Sequence, residues 1–217
     1  MPDLFTLEEL DQDGAIRETA EKAGLDTRTD FLRKAGLGAG AILGGGALLG
    51  SFPAMASAAP PKSDVDILNF ALTLEYLEAE FYTEAGRKRL GGKPGQLATV
   101  IGRHERAHVA FLKKALGGSA VKKPKFNFKG TTANPTKFLR TARVLEDTGV
   151  QAYSGAGPSI KTKSIAAAAI SILTVEARHA AWVRDVLGIP PAPAAFDAPK
   201  SKGQILAAVK GTGFIVG

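Results

Sequence analysis

The stretch Glu105-Arg106-Ala107-His108-Val109-Ala110-Phe111-Leu112-Lys113-Lys114-Ala115-Leu116-Gly117 returns 71 residues later. It reads there Glu176-Ala177-Arg178-His179-Ala180-Ala181-Trp182-Val183-Arg184-Asp185-Val186-Leu187-Gly188. At the same offset Ser63 falls on Asn134, Glu75 on Glu146 and Tyr82 on Tyr153. One constant offset across all these pairs means that two halves of the chain repeat one structural unit. Each repeated stretch ends in Leu-Gly, the sign of a helix stopping at a left-handed glycine.

The apolar spacing is that of helices. Leu68, Leu72, Ala79 and Tyr82 share one face, as do Leu97, Ile101, Leu112 and Leu116, and Ile165, Ile172, Val183 and Val186. The first helix is expected to start at Ser63 as its N-cap and to reach about Leu90, ended by Gly91-Gly92. The second is expected from about Pro94 to Leu116, stopping at Gly117-Gly118. The third opens on Asn134-Pro135, a capping residue followed by proline, and runs to about Ser154. The fourth is expected from about Ser159 to Leu187, ended by Gly188 and then Pro190-Pro191. Strand-like alternation is absent, so the fold class is all-α. The first and second helices, and the third and fourth, are joined by a few residues, which makes each pair antiparallel. The joint from Gly117 to about Ala133 is long. At roughly 3.3 Å per residue it spans some 50 Å, enough to pass from one end of a helix to the other. The expected architecture is a four-helix bundle with one long crossover between helices 2 and 3.

Glu105 and His108 are three residues apart and therefore project from one helix face, as do Glu176 and His179. Both pairs sit inside apolar stripes, flanked by Ile101 and Leu112 and by Ile172 and Val183. Glu75 lies in the stripe of Leu68, Leu72, Ala79 and Tyr82. Glu146 lies close to the line of Phe138, Ala142 and Tyr153. Four carboxylates turned into an apolar interior each cost several kcal/mol unless charge is supplied to them. The chain has no cysteine and only three histidines, His104, His108 and His179. Thiolate sites and disulfides are thereby excluded, and any metal must be held by carboxylate and imidazole. Two divalent ions would neutralise four carboxylates and take one imidazole each. A Glu from each of two helices plus a Glu-x-x-His from each of the other two is a known recipe for paired iron or manganese ions in bundles. Oxygen and imidazole donors suit both metals. A single Glu-x-x-His is expected by chance roughly 0.15 times in such a chain. Two, in register with two further glutamates, are a specific signal. Glu78, one turn from Glu75, is a substitute ligand on a nearby face. His104 points about 100° away from Glu105, which assigns it a structural or surface duty. Phe111 and Trp182 occupy equivalent positions and read as core or hairpin-interface residues.

With these residues in place the chain resembles the ferritin-like superfamily, specifically the secreted ferritin-like domain proteins akin to plant desiccation-related proteins. The resemblance runs from about Ser63 to Gly188. It implies two Fe or two Mn ions, with Glu75 and Glu146 each on one ion and Glu105 and Glu176 bridging. His108 and His179 would each hold one ion, and Tyr82 and Tyr153 would hydrogen-bond to the ligands.

The chain divides into 1–58, 59–190 and 191–217. The first segment is polar and acidic up to residue 26. Thr27-Arg28-Thr29-Asp30-Phe31-Leu32-Arg33-Lys34, a Gly/Ala-rich apolar run and Ala54-Met55-Ala56-Ser57-Ala58 then follow. A basic patch, a short apolar core and a small-x-small end are features of an export signal, with the cut expected after Ala58. The patch is similar to a twin-arginine signal, except that Thr29 replaces the second arginine. The apolar run is too short and glycine-rich to read as a membrane span. Residues 59–190 carry the bundle. The last segment is Pro/Ala-rich and then weakly amphipathic from Gln204 to Val209, and is expected to pack along the bundle. Five of the 28 basic and nine of the 21 acidic side chains lie in the first segment, leaving 23 and 12, a net +11, beyond it. That charge suits an anionic envelope surface. No nucleic-acid-binding pattern accompanies it.

The expected function is that of an exported protein whose two metal ions react with O2 or peroxide, in ferroxidase- or manganese-catalase-like chemistry. The alternative is a non-catalytic metal-binding or stress-protective envelope protein. Homo-oligomer formation is left open by the sequence.

Overall fold

The computed structural model describes residues 60–216. The segment read as an export signal, with its cut after Ala58, lies outside the described residues. The described residues form five α-helices: α1 Lys62–Arg87, α2 Gly92–Leu116, α3 Pro135–Ala156, α4 Lys163–Val186 and α5 Lys202–Thr212. Among the described residues there is no strand, only an isolated antiparallel bridge between Phe126 and Ile215. No described helix is long and apolar enough to cross a membrane.

Cross-helix contacts give the topology. Arg106 Nη1 donates to Thr83 Oγ1 while Asn69 Nδ2 donates to the carbonyl of Ser119, so α2 runs against α1. Arg184 of α4 bonds Asp147 of α3 while Glu176 lies against Gly149, so α4 runs against α3. Tyr82 bonds Glu146 and Tyr153 bonds Glu75, so α3 also runs against α1. The chain ending α2 must therefore travel the length of the bundle before α3 begins. It does so along α1: Val121 N donates to Asn69 Oδ1, Lys123 pairs with Glu80 at 2.7 Å, and Thr132 bonds Glu84. Phe128, 1% exposed, anchors the crossover edge-on against Phe81. This is the all-α bundle of two hairpins and one crossover that the residue pattern implied.

The apolar faces read from the sequence form the core. Leu72, Tyr82, Leu97, Ile101, Phe138, Ala142 and Val183 are fully buried, and Val186 packs against them partly exposed. The helix starts differ from expectation. Ser63 is not an N-cap: α1 begins at Lys62 behind Pro61, and the polar side chain that matters is Asp64. The Asp64 carboxylate is buried and accepts from the backbone N–H groups of Lys161 at 3.0 Å and Thr162 at 2.9 Å, at the approach to α4. Gly91 and Gly92 do not end α1, which stops at Arg87. Their φ of 69° and 49° opens α2 instead, two residues ahead of Pro94. Gly157–Ser159 form a 3₁₀ turn, so α4 starts at Lys163 rather than Ser159. Asn134 does cap α3, accepting from Lys137 N at 3.0 Å.

Past α4, Lys200 N donates to the Gln151 carbonyl at 3.1 Å. Ser201 and Gln204 form a reciprocal capping box that starts α5. Ile205, Val209 and Phe214 then bury themselves against the bundle core.

Candidate metal centre

Glu75, on α1, is flanked along its helix by Leu72 and Ala79. Glu105 and His108 project from α2, Glu146 from α3, and Glu176 and His179 from α4. The helical stripes carry each side chain inward, and the antiparallel packing brings them to one level. All four carboxylates have no solvent exposure, His179 is 3% exposed, and His108 is half-buried. The structure thus brings together all six residues singled out in the sequence.

They fall into two overlapping quartets, each with one ligand atom per residue within 4.8 Å of the others: Glu75, Glu105, His108 and Glu176, and Glu105, Glu146, Glu176 and His179. Glu105 and Glu176 belong to both. Glu105 Oε2 lies 3.2 Å from His108 Nδ1, and its Oε1 lies 3.0 Å from His179 Nδ1. His108 Nδ1 is also 3.2 Å from Glu75 Oε2 and from Glu176 Oε1. His179 Nδ1 is 3.3 Å from Glu146 Oε2. The second oxygens of the outer glutamates are held across the bundle. Tyr82 of α1 donates to Glu146 Oε1 on α3, and Tyr153 of α3 donates to Glu75 Oε1 on α1 at 2.5 Å. The pair of crossed bonds is what a pseudo-twofold axis between the halves requires.

The donor atoms converge without satisfying one another. Glu105 Oε1, Glu146 Oε2, both oxygens of Glu176 and His179 Nδ1 are buried with no hydrogen-bond partner. Such orphaned groups are costly, and four carboxylates at one point repel. A cation between them removes both penalties, and oxygen plus imidazole donors without thiolate fit iron or manganese. The residues present therefore fit a metal centre.

The acid–base state of the metal-free cluster reflects the same conflict. Burial raises Glu75 to about 7, although His108 works against the shift. Burial, and then the charge of Glu105, raises Glu176 well above the carboxylate range. Burial opposes charge on His179, but Glu105 and Glu146 outweigh it and bring the imidazole to about 10. Glu105 alone is held low: burial pushes it up, and the two imidazoles more than reverse that. Without metal, one carboxylate between two imidazoles keeps its charge while its neighbours resist theirs.

Two residues enter the site beyond those six. His104 is not a surface group: its Nδ1 lies 2.9 Å from His179 Nε2, with the rings stacked at 5.2 Å. The helical offset that directed it away from Glu105 aims it at α4. At the 71-residue offset Val175 stands in its place, so the repeat gives no sign of this partner. Glu78 is 3% exposed, with its carboxyl raised by burial and then by the charges of Glu176, Glu146, Glu105 and Glu75. Phe111 is buried and Trp182 packs partly exposed against the core, as their repeat positions suggested. An apolar cavity of about 20 Å³ is lined by Leu68, Leu112, Ile165 and Ile172 together with Tyr153.

The sequence model described as a ferritin-like domain matches residues 63–189, which takes in α1 to α4 and all six cluster residues. No curated protein matches the chain.

Proposed function

Because the chain belongs to the ferritin-like domain family, we propose that its buried cluster holds two iron or two manganese ions that react with O2 or peroxide. The observation that carries this reading is the pair of quartets sharing Glu105 and Glu176, with five cluster atoms left without hydrogen-bond partners. Glu75 and His108 would hold one ion, Glu146 and His179 the other, and Glu105 and Glu176 would bridge them. When bound, paired iron or manganese ions supply one-electron redox steps at adjacent centres, which suits two-electron chemistry on O2 or peroxide.

The chain's own groups supply position and dryness. Tyr82 and Tyr153 fix one oxygen of Glu146 and Glu75, leaving the other aimed inward. His104 occupies the far nitrogen of His179 and so fixes which ring nitrogen faces the carboxylates. Leu72, Ile101, Ala142 and Val183, all essentially unexposed, help to exclude water and keep these interactions strong.

We further read the protein as exported by the twin-arginine route, with its net basic mature part suited to an anionic envelope surface. The support is the sequence of residues 27–58 and the charge balance beyond it. Elemental analysis of protein purified from its own envelope tests binding and location together, with about two Fe or Mn per chain expected. Loaded protein is then given peroxide, or O2 with ferrous iron. Consumption of either oxidant supports the redox reading. Bound metal with neither consumed would contradict it and favour a metal-holding, stress-protective role.

A further inference from the structure

Two positions at the centre break the repeat. At the 71-residue offset Glu78 stands opposite Gly149, and His104 opposite Val175. Gly149 leaves a gap where a side chain would begin. A Cβ there would lie 3.0 Å from Glu176 Oε2 and 3.3 Å from Glu78 Oε1. Two carboxylate oxygens from α4 and α1 thus border the space that α3 leaves empty. Glu176 Oε2 is buried and has no hydrogen-bond partner. Glu78 is itself almost fully buried, an unusual place for a carboxyl whose counterpart in the other half has been reduced to a hydrogen atom.

Both departures from symmetry fall on the same half of the cluster. His104 touches His179 and not His108. Of the carboxylate charges that bear on Glu78, the shared Glu176 comes first and Glu146, which belongs with His179, comes next, ahead of Glu75 on the His108 half. On the other half, His108 keeps 12% of its side chain exposed, against 4% for His179.

We infer that Glu78 is a fifth carboxylate ligand of the centre, serving the ion held by Glu146 and His179, so that the two ions are bound unequally. This rests on the two-ion reading above. An added carboxylate brings one more negative charge and one more oxygen donor to that ion. The more buried surroundings strengthen its attraction for a cation. The ion beside His108 has neither advantage. The half with Glu78 fills first, and the repeat has diverged from two equal sites into a tight one and a looser one.

The test is a calorimetric titration of metal-free full-length protein with Mn(II) at about pH 7, with Co(II) absorption as a second readout of each site's ligand number. Wild type is expected to bind two ions in two steps at least about tenfold apart in affinity. Glu78→Gln, which keeps shape and removes charge, is expected to weaken the tight step about tenfold or more and leave the looser step in place. Glu78→Ala should do the same. Two equal steps in wild type would overturn the inference while leaving the two-ion reading intact. So would a Glu78→Gln protein that titrates like wild type, for then Glu78 merely shares a proton with Glu176. Absence of any bound ion would remove the two-ion reading and this inference together. If neither Glu78 variant folds, the Co(II) absorption of the first-filled site in wild type decides: a tight site with no more ligands than the looser one would overturn the inference.

Discussion

Glu105 is the side chain on which both imidazoles converge, one on each oxygen. Its neutral isostere should therefore disturb both ions, whereas loss of Glu75 should disturb one. Glu105→Gln is expected to lower metal content below one ion per chain, and Glu75→Gln to leave about one, as read by elemental analysis after dialysis. Tyr153 and Tyr82 do not face the proposed ions but hold the far oxygens of Glu75 and Glu146. Substituting either with phenylalanine should weaken one ion about tenfold, in the range seen when the hydrogen-bond partner of a ligand is lost. Equal affinity in Tyr153→Phe and wild type would show that the hydroxyl positions nothing. The six cluster residues were legible in the sequence because burial of a charge leaves a mark: a glutamate inside an apolar stripe, twice, at one offset. His104 was not legible as a partner, since helical geometry says where a side chain leaves its own helix and not which neighbour waits there.

At the scale of elements, the bundle is tied by contacts far apart in sequence. Asp64 on α1 holds the backbone N–H groups ahead of α4, and Asp64→Ala leaves both without that acceptor. A loss of about 1–3 kcal/mol in unfolding free energy is expected from denaturant titration, with the helices retained. Gly155 on α3 lies against the tail: a Cβ there would sit 2.0 Å from the Lys200 carbonyl oxygen. Gly155→Ala should push the tail off α3 and expose the chain ahead of α5 to protease, at a cost of about 1–3 kcal/mol. The same long-range ties explain the misplaced helix starts. Asp64 carries no local capping signal, because its partners are 97 and 98 residues away. Gly91 and Gly92 read as the end of α1 from sequence alone, because a glycine with positive φ serves the close of one helix or the opening of the next equally well.

At the scale of the molecule, the cluster couples stability to pH and metal. Glu75 is raised on folding from 4.5 to about 7, so it favours the fold fully below 4.5 and loses that contribution as pH rises through 7. His179, raised from 6.5 to about 10, favours the fold fully below 6.5 and loses that contribution as pH rises through 10. Glu105, held low, acts in the opposite sense: its contribution is complete above 4.5 and is lost as pH falls below that. Metal-free protein should therefore lose thermal stability as pH rises from about 5 to 9. Added Mn(II) should raise Tm most at the alkaline end, where protons no longer compete for the ligands. A metal-free Tm that climbs over that range would contradict the charge state assigned to the cluster.

The whole account depends on two cations lying between the shared glutamates. Anomalous diffraction at the manganese or iron edge from crystals of loaded protein locates them directly. Two peaks per chain are predicted, each between one imidazole and one tyrosine-held glutamate, with Glu105 and Glu176 reaching both. A cluster without an anomalous peak, with metal found only on the surface, would contradict it.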